Sequence, residues 1–174
     1  AKRAVFPHND MGALEQVLKE NDDSERKLII VDGVFSMDGD ICPLDELTAL
    51  AEEHNAMVMV DDCHGEGVLG DGGRGIVDHF KLQGRVDFEG GSFSKALGVQ
   101  GGILAGKEIV RKHALNHSRS WLLSGPQPPG VAAAQKAAIE VLMDEPEHHA
   151  SLWENTEYFR SEMQSLGFDT GVST

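Results

Sequence analysis

Two uninterrupted apolar runs constrain the fold of this 174-residue chain more than any other feature. The first lies within Lys27–Asp32 and the second is Met57–Val60, and an aspartate follows each run. Short continuous apolar runs are typical of strands that are buried on both faces of a parallel sheet. Two weaker strand candidates come later in the chain, at Val86–Glu89 and Ile103–Ala105. The sequence therefore predicts a sheet of short, largely buried strands.

Helical patterns alternate with these runs. We predict helices at Gly12–Glu20, from Pro43 to about Asn55, at Pro129–Met143 and at Pro146–Leu166, on the spacing of their apolar residues. Strands that alternate with helices are typical of the α/β class. We therefore expect a mostly parallel sheet with helices covering both of its faces.

The composition excludes several classes of function. The 15 basic and 29 acidic residues give a formal net charge of −14, which argues against binding to nucleic acid or to an anionic membrane surface. No apolar run approaches the length of a bilayer-spanning helix. The two cysteines, Cys42 and Cys63, do not suggest a disulfide framework, so we expect a protein of the reducing cytoplasm.

Polar residues cluster just after the predicted strands. Ser36, Asp61, His64 and the segment Ser92–Lys95 all occupy such positions. In open parallel sheets, ligands bind beyond the carboxyl ends of the strands. The spacing therefore predicts that these residues share a single site.

The segment Gly91–Gly98 surrounds Lys95 with glycines and hydroxyl residues. A lysine amine can form an imine with a carbonyl compound, while hydroxyls and free backbone N–H groups suit a phosphate. Asp61 and His64 supply a carboxylate and an imidazole for the two polar edges of an aromatic cofactor. Pyridoxal phosphate chemistry needs these groups: a covalent tether, a phosphate site and a proton held on the ring nitrogen.

Three other motifs do not fit the function that they suggest. Gly65–Gly70 matches the dinucleotide pattern G-x-G-x-x-G, but Asp71–Gly75 is too glycine-rich to continue as a helix. Gly101–Lys107 resembles a P-loop, but Glu108 stands where a serine or threonine must reach magnesium. Neighbouring side chains of the Asp61–Glu66 segment point to opposite sides when extended, so we predict no metal site there.

Four segments match one known family in order and spacing, over nearly the whole chain. They are His8–Asp10 with Leu14 and Glu15, Val31–Ile41 with Pro43 and Leu44, Val60–Gly65, and Gly91–Gly98. Through them the chain resembles the α-oxoamine synthases, which are pyridoxal-phosphate enzymes with the aspartate-aminotransferase type of fold. Pyridoxal 5′-phosphate is therefore the cofactor that the resemblance implies.

The resemblance implies three catalytic residues. Lys95 would hold the cofactor as an imine and would later move a proton at the substrate Cα. Asp61 would pair with the ring nitrogen and keep it protonated. His64, together with Ser36, would hydrogen-bond the phenolic oxygen of the ring.

The resemblance also implies how the phosphate is held. Ser92 would bind it, with Ser94 as a neighbour. Ser124 is retained from a segment that reaches the phosphate of the neighbouring subunit in this family, whereas Pro126 offers neither a hydroxyl nor an N–H there. A homodimer with sites at the subunit interface is therefore implied.

Within the family the chain is most similar to the glycine C-acetyltransferase branch, which implies that an amino acid, glycine, is joined to acetyl-CoA with release of CoA. An 8-amino-7-oxononanoate synthase is the alternative within the family. Another pyridoxal-phosphate aminotransferase or lyase, and a non-catalytic scaffold, are hypotheses of other classes.

The resemblance also divides the chain. It implies that residues 1–145 are part of the large cofactor-binding domain, and that residues 146–174 are a linker helix and the start of a small C-terminal domain. The family's ring-stacking histidine and carboxylate-binding arginine have no counterpart in this sequence. We therefore expect the central piece of a longer protein, inactive by itself.

Overall fold

A four-stranded sheet organises the chain in the computed structural model, which describes residues 2–174. The strands are β1 Lys27–Asp32, β2 Ala56–Asp61, β3 Phe88–Ser92 and β4 Gly102–Gly106, and they lie side by side in this order. β1, β2 and β3 are parallel, and β4 runs antiparallel to β3. The predicted α/β class with a mostly parallel sheet is confirmed.

Helices make up most of the remaining regular structure. They are α1 Met11–Glu20, α2 Leu44–Glu53, α3 Ile76–His79, α4 Glu108–His117, α5 Arg119–Leu122, α6 Pro129–Asp144 and α7 Pro146–Ser165, with a 3₁₀ turn at Asp71–Gly73. The four predicted helices correspond to α1, α2, α6 and α7, whereas α3, α4 and α5 were not predicted. Within residues 2–174, no helix is both long and apolar enough to cross a membrane.

The main core lies between one face of the sheet and the first two helices. Ile29 and Val31 of β1 and Val58 and Val60 of β2 are buried. They belong to one cluster with residues of α1 and α2, which are Leu14, Leu18, Leu44, Leu47 and Ala51. Each buried leucine, isoleucine or valine side chain contributes about 1.5–3 kcal/mol when it leaves water, so this layer stabilises the sheet.

The opposite face of β1 is open. Leu28 and Ile30 alternate with the buried residues of the strand, and they are 46% and 62% exposed. The prediction that helices cover both faces is therefore wrong over β1 for the described part of the chain. An apolar run shows that both faces of a strand are apolar. It does not show whether residues 2–174 include helices that pack against both faces.

The glycine-rich loop after β2 turns tightly. Gly70 and Gly75 have φ angles of +75° and +88°, which favour glycine. The backbone N–H of Gly75 donates to the carbonyl of Leu69, and that of Gly67 donates to the carbonyl of Gly73. A single 3₁₀ turn follows Gly70 in place of a longer helix, so the dinucleotide geometry is not formed. The P-loop-like segment is strand β4.

Candidate active site

Strand register brings the predicted site segments to one edge of the sheet. Asp61 pairs with Asp32 of β1 on one side and with Gly90 of β3 on the other. The pairing continues past Asp61, because the Gly33 N–H donates to the Asp61 carbonyl and the Asp62 N–H donates to the Gly90 carbonyl, both at 2.8 Å. The carboxyl ends of three parallel strands therefore meet beside Asp61.

Asp61 and His64 lie on the open side of this edge. Both side chains are exposed, and Oδ1 of Asp61 accepts a hydrogen bond from the Cys63 N–H at 3.1 Å. That bond leaves the other carboxylate oxygen of Asp61 available for a ligand. The pKa of the Cys63 thiol is raised to about 11, chiefly by burial and then by its contact with Asp61, so the thiol is neutral near pH 7.

Asp62 points the other way and is fully buried. Its Oδ2 accepts the Ile76 N–H at 2.8 Å, while its Oδ1 has no hydrogen-bond partner among residues 2–174. Burial raises the pKa of Asp62 to about 7. Gly33, Gly65 and Gly75 close around this carboxylate, and a Cβ on any of them would collide with it. The Asp62 side chain therefore lies between the loop after β1 and the glycine-rich loop after β2, and its hydrogen bond to Ile76 fixes the end of the second loop.

The segment Ser92–Lys95 begins where β3 ends. The Ser92 and Ser94 hydroxyls lie 2.7 Å apart, and the Ser94 N–H donates to the Ser92 Oγ at 3.2 Å. Phe93 between them is buried and anchors the loop. Lys95 is exposed, and its amine makes no hydrogen bond or ion pair within the described residues 2–174. Two hydroxyls and a lysine amine are thus presented together.

The expectation of free backbone N–H groups in this loop is wrong for three residues. The N–H of Ser92 donates to Glu66, that of Phe93 to the Gly101 carbonyl and that of Ser94 to the Ser92 hydroxyl. A tight turn satisfies its own donors, which sequence composition does not reveal. The hydroxyls of Ser92 and Ser94 are therefore the groups of these residues that remain for a phosphate.

The two other predicted residues lie apart from this cluster in the chain. Ser36 is exposed in a turn after β1, which is closed by the Gly39 N–H donating to the Phe35 carbonyl at 2.7 Å. Ser124 follows α5, and its hydroxyl donates to the carbonyl of Ser120. Within residues 2–174, no hydrogen bond joins either side chain to Asp61, His64 or the Ser92–Lys95 segment. Their roles stay predictions.

The structure adds Glu66 to the residues of the candidate site. In the sequence, Glu66 belongs only to the segment for which we predict no metal site. Its Oε2 accepts the Ser92 N–H at 2.8 Å. Burial raises the pKa of Glu66, whereas the hydrogen bond from the Ser92 N–H and the Lys95 charge act in the opposite direction. The sequence signal was the position of Glu66 two residues after His64, but no periodicity indicated its partner.

The donor set at this edge fits pyridoxal phosphate. The group needs an amine for its aldehyde, a carboxylate for its ring nitrogen and hydroxyls for its phosphate. The amine is that of the exposed Lys95. The carboxylate is that of Asp61, of which one oxygen accepts the Cys63 N–H, and the hydroxyls are those of Ser92 and Ser94. They lie beyond the carboxyl ends of adjacent strands, where α/β sheets bind ligands.

Comparison with known proteins gives the family. The model of the family "Aminotransferase class I and II" matches residues 1–173. The chain therefore belongs to the aminotransferase class I and II family.

Individual relatives narrow this class. An 8-amino-7-oxononanoate synthase of Thermosipho melanesiensis is 56% identical over 173 residues, which cover 99% of this chain and 44% of that protein. An enzyme of the same name from Fervidobacterium nodosum is 56% identical over 176 residues, which cover 99% of this chain and 45% of that protein. The chain thus spans less than half the length of these relatives.

Solved structures with the same fold belong to the same class of enzyme as these relatives. A serine palmitoyltransferase from S. paucimobilis, solved with a bound PLP–myriocin aldimine, superposes with a TM-score of 0.89 at 34% identity, covering 94% of this chain and 41% of that chain. The resemblance to the pyridoxal-phosphate-dependent α-oxoamine synthases is confirmed, and so is pyridoxal 5′-phosphate as the cofactor of this family. The relatives favour the 8-amino-7-oxononanoate synthase alternative over glycine C-acetyltransferase.

Proposed function

We propose that this chain is the central part of a pyridoxal-phosphate-dependent acyltransferase with 8-amino-7-oxononanoate synthase activity. The main support is the edge of the sheet where Asp61, Ser92 and Lys95 come together in a chain 56% identical to two such synthases. The protein would act in the cytoplasm as a homodimer, on an amino acid and an acyl-CoA. These proposals concern the complete protein, since the chain covers less than half of its relatives.

The chemical name of the product defines the substrates. In 8-amino-7-oxononanoate, the amine on the eighth carbon stands beside a terminal methyl group, which is the skeleton of alanine without its carboxylate. The remaining carbons form a seven-carbon acyl group with a carboxylate at its far end. A new carbon–carbon bond joins the alanine Cα to the acyl carbonyl, while CoA leaves as the thiol and the alanine carboxylate leaves as carbon dioxide.

Lys95 and Asp61 would have different roles in this reaction. Pyridoxal phosphate, when bound, accepts the electron pair that is left on the substrate Cα when its proton is removed. The Lys95 amine would hold the cofactor aldehyde as an imine and, when free, would take the proton from that Cα. The carboxylate of Asp61 holds a proton on the ring nitrogen by its charge. Lys95 thus has a covalent and an acid–base role.

The remaining residues would orient the cofactor. The imidazole of His64 and the hydroxyl of Ser36 would hydrogen-bond the phenolic oxygen and set the tilt of the ring. The hydroxyls of Ser92 and Ser94 would hold the phosphate, with Ser124 reaching the phosphate of the partner subunit. In the 2.7 Å hydrogen bond between the two hydroxyls one O–H donates to the other, so one O–H of the pair is left for a phosphate oxygen, and both would donate only if the phosphate replaced this bond.

A paired assay tests this function. The complete protein that carries this sequence is incubated with pyridoxal phosphate and either alanine plus a seven-carbon dicarboxylic acyl-CoA or glycine plus acetyl-CoA, and thiol release is followed. We expect the first pair to have the higher kcat/KM. Faster release with glycine and acetyl-CoA would establish the glycine C-acetyltransferase reading instead.

A second control separates acyl transfer from other pyridoxal-phosphate chemistry. If the protein moves the alanine amine to a keto acid and releases no thiol, it is an aminotransferase and the proposal fails. Lys95→Ala in the same assay should lose thiol release by several orders of magnitude, since both roles of the lysine vanish together.

A further inference from the structure

Glu66 connects two halves of the candidate site. It lies in the loop after β2, two residues beyond His64, and its Oε2 accepts the N–H of Ser92 at 2.8 Å. One end of this contact thus belongs to the segment that carries Asp61 and His64. The other end is the first residue of the segment that carries Ser92, Ser94 and Lys95.

The contact is closely fitted. Gly91 precedes the bonded N–H, and a Cβ at this position would collide with the Glu66 carboxylate. The absence of a side chain at Gly91 therefore allows the carboxylate to reach Ser92.

The surroundings of Glu66 explain why this contact holds one geometry. The residue is half-buried, and it borders a cavity of about 250 Å³ together with Glu89, Arg74 and Phe93. Glu89 also has its pKa raised by burial and by the Glu66 charge. Side chains of both charges, Arg74 and Glu89, thus border this cavity, and the hydrogen bond from the Ser92 N–H fixes the position of the Glu66 carboxylate.

We propose that Glu66 is a positioning residue, which sets the spacing between the Asp61–His64 segment and the Ser92–Lys95 segment by holding the Ser92 backbone. The residue touches neither the cofactor nor the substrate and acts through Ser92. The inference rests on the proposed function only in that these two segments hold pyridoxal phosphate. The proposed role requires a hydrogen-bond acceptor on a side chain as long as glutamate. The negative charge of that side chain matters less than its length.

Two conservative variants separate reach from charge. Glu66→Gln keeps the reach and an acceptor oxygen but removes the charge, whereas Glu66→Asp keeps the charge but is one methylene too short. Two quantities are measured on the complete protein. The first is hydrogen–deuterium exchange of the peptide around Gly91–Gly98 in the cofactor-free state. The second is the dissociation constant of pyridoxal phosphate, from its visible absorbance.

We expect Glu66→Asp to exchange faster in that peptide and to bind pyridoxal phosphate about tenfold more weakly, as expected for loss of the hydrogen bond to the Ser92 N–H. Glu66→Gln should stay within about twofold of the wild type in both measurements, because its amide oxygen accepts the same N–H. Gly91→Ala should match Glu66→Asp, since it displaces the carboxylate while Glu66 itself is unchanged.

The outcomes are distinct. If Glu66→Asp matches the wild type in both measurements, the positioning role is wrong. If Glu66→Gln is impaired as strongly as Glu66→Asp, charge rather than reach is what matters, and the inference is overturned. A wild-type protein that binds no pyridoxal phosphate contradicts the proposed function itself, whereas the exchange measurement still reports whether Glu66 orders the loop.

Discussion

Asp62 shows how one residue can support a site without facing it. Its carboxylate is fully buried behind Asp61, with one oxygen bonded to the Ile76 N–H and the other without a partner within residues 2–174. A buried carboxylate in this setting holds its proton up to about pH 7, because burial and neighbouring carboxylates raise its pKa. Asp61, one residue earlier, is exposed and available to a ligand.

This burial predicts a pH dependence of stability. The pKa of Asp62 rises from 3.8 to about 7 on folding, so the folded state binds more protons than the unfolded state between these values. The free energy of unfolding therefore falls as pH rises through this window, by at most about 4 kcal/mol. Asp62→Asn cannot titrate, so its stability relative to the wild type should increase from about pH 5 to about pH 8.

Thermal unfolding at the two pH values measures this difference, with Asp71→Asn as the control. Asp71 lies in the same loop but is exposed, so its replacement should change stability equally at both values. A gap between Asp62→Asn and the wild type that stays constant with pH would show that Asp62 is ionised in the folded protein.

The sequence predicted a site role for the exposed Asp61 but no structural role for the buried Asp62. The two-residue period of an extended segment places Asp61 and Asp62 on opposite sides. It does not show which side faces the site, and the resemblance supplied that assignment for Asp61. The hydrogen-bond partner of Asp62 is the Ile76 N–H, and Gly33 and Gly75 pack close to its carboxylate, so these contacts depend on the tertiary structure.

At the scale of elements, α7 packs onto the loop that follows the candidate site. The carbonyl of Val68 accepts the indole N–H of Trp153 at 3.0 Å and lies 2.8 Å from Nε2 of His149. His149 and Trp153 are one helical turn apart, so both reach the same carbonyl. Trp153 also packs against the main core cluster.

Removing the indole donor should weaken this docking. Trp153→Phe keeps an aromatic ring but loses the hydrogen bond, which should cost about 1 kcal/mol. Adding His149→Phe leaves the Val68 carbonyl without either donor, so we expect a further loss of about 1–3 kcal/mol. Urea unfolding followed by circular dichroism measures both changes.

Tyr158→Phe is the matched control, because Tyr158 lies on the same helix and is 68% exposed. Its stability should stay within about 0.5 kcal/mol of the wild type, as is usual for surface substitutions. If Trp153→Phe is equally neutral, the Val68 contact does not hold α7 in place.

Elements with a strong apolar pattern could be predicted from the sequence. A strand extended by pairing with its neighbour, or a helix without a buried face, could not. β1 and α1 agree with their predicted bounds to within one residue. β3 was expected at Val86–Glu89 but lies at Phe88–Ser92, because Gly90 and Gly91 carry no apolar side chain and join the strand by pairing with β4. α4 was missed because all its residues are exposed or half-buried and no side chain caps its start.

At the scale of the whole molecule, large apolar side chains stay exposed on α4, on α5 and just before Ser124. Ile109, Trp121 and Leu123 are 70%, 67% and 83% exposed. Exposed apolar patches of this kind mark interaction surfaces. This supports the proposal that the complete protein is a homodimer, with this region at the interface.

Charged substitutions test that interface. Leu123→Asp combined with Trp121→Asp should convert the dimer to a monomer in sedimentation velocity, because two charges would have to be buried without partners. Val172→Asp, at a site 81% exposed elsewhere in the chain, should leave the dimer intact. A dimer that survives the double substitution would place the interface on another surface.

The account depends above all on Lys95 as the residue that holds the cofactor. Lys95 is exposed in the segment that carries the hydroxyl pair of Ser92 and Ser94, and its amine has no hydrogen-bond or ion-pair partner within residues 2–174. The most direct measurement is borohydride reduction of the complete protein with pyridoxal phosphate, followed by peptide mapping. We predict one cofactor-sized mass increase, located on Lys95. Labelling of a different lysine, or no labelling at all, would contradict the central claim.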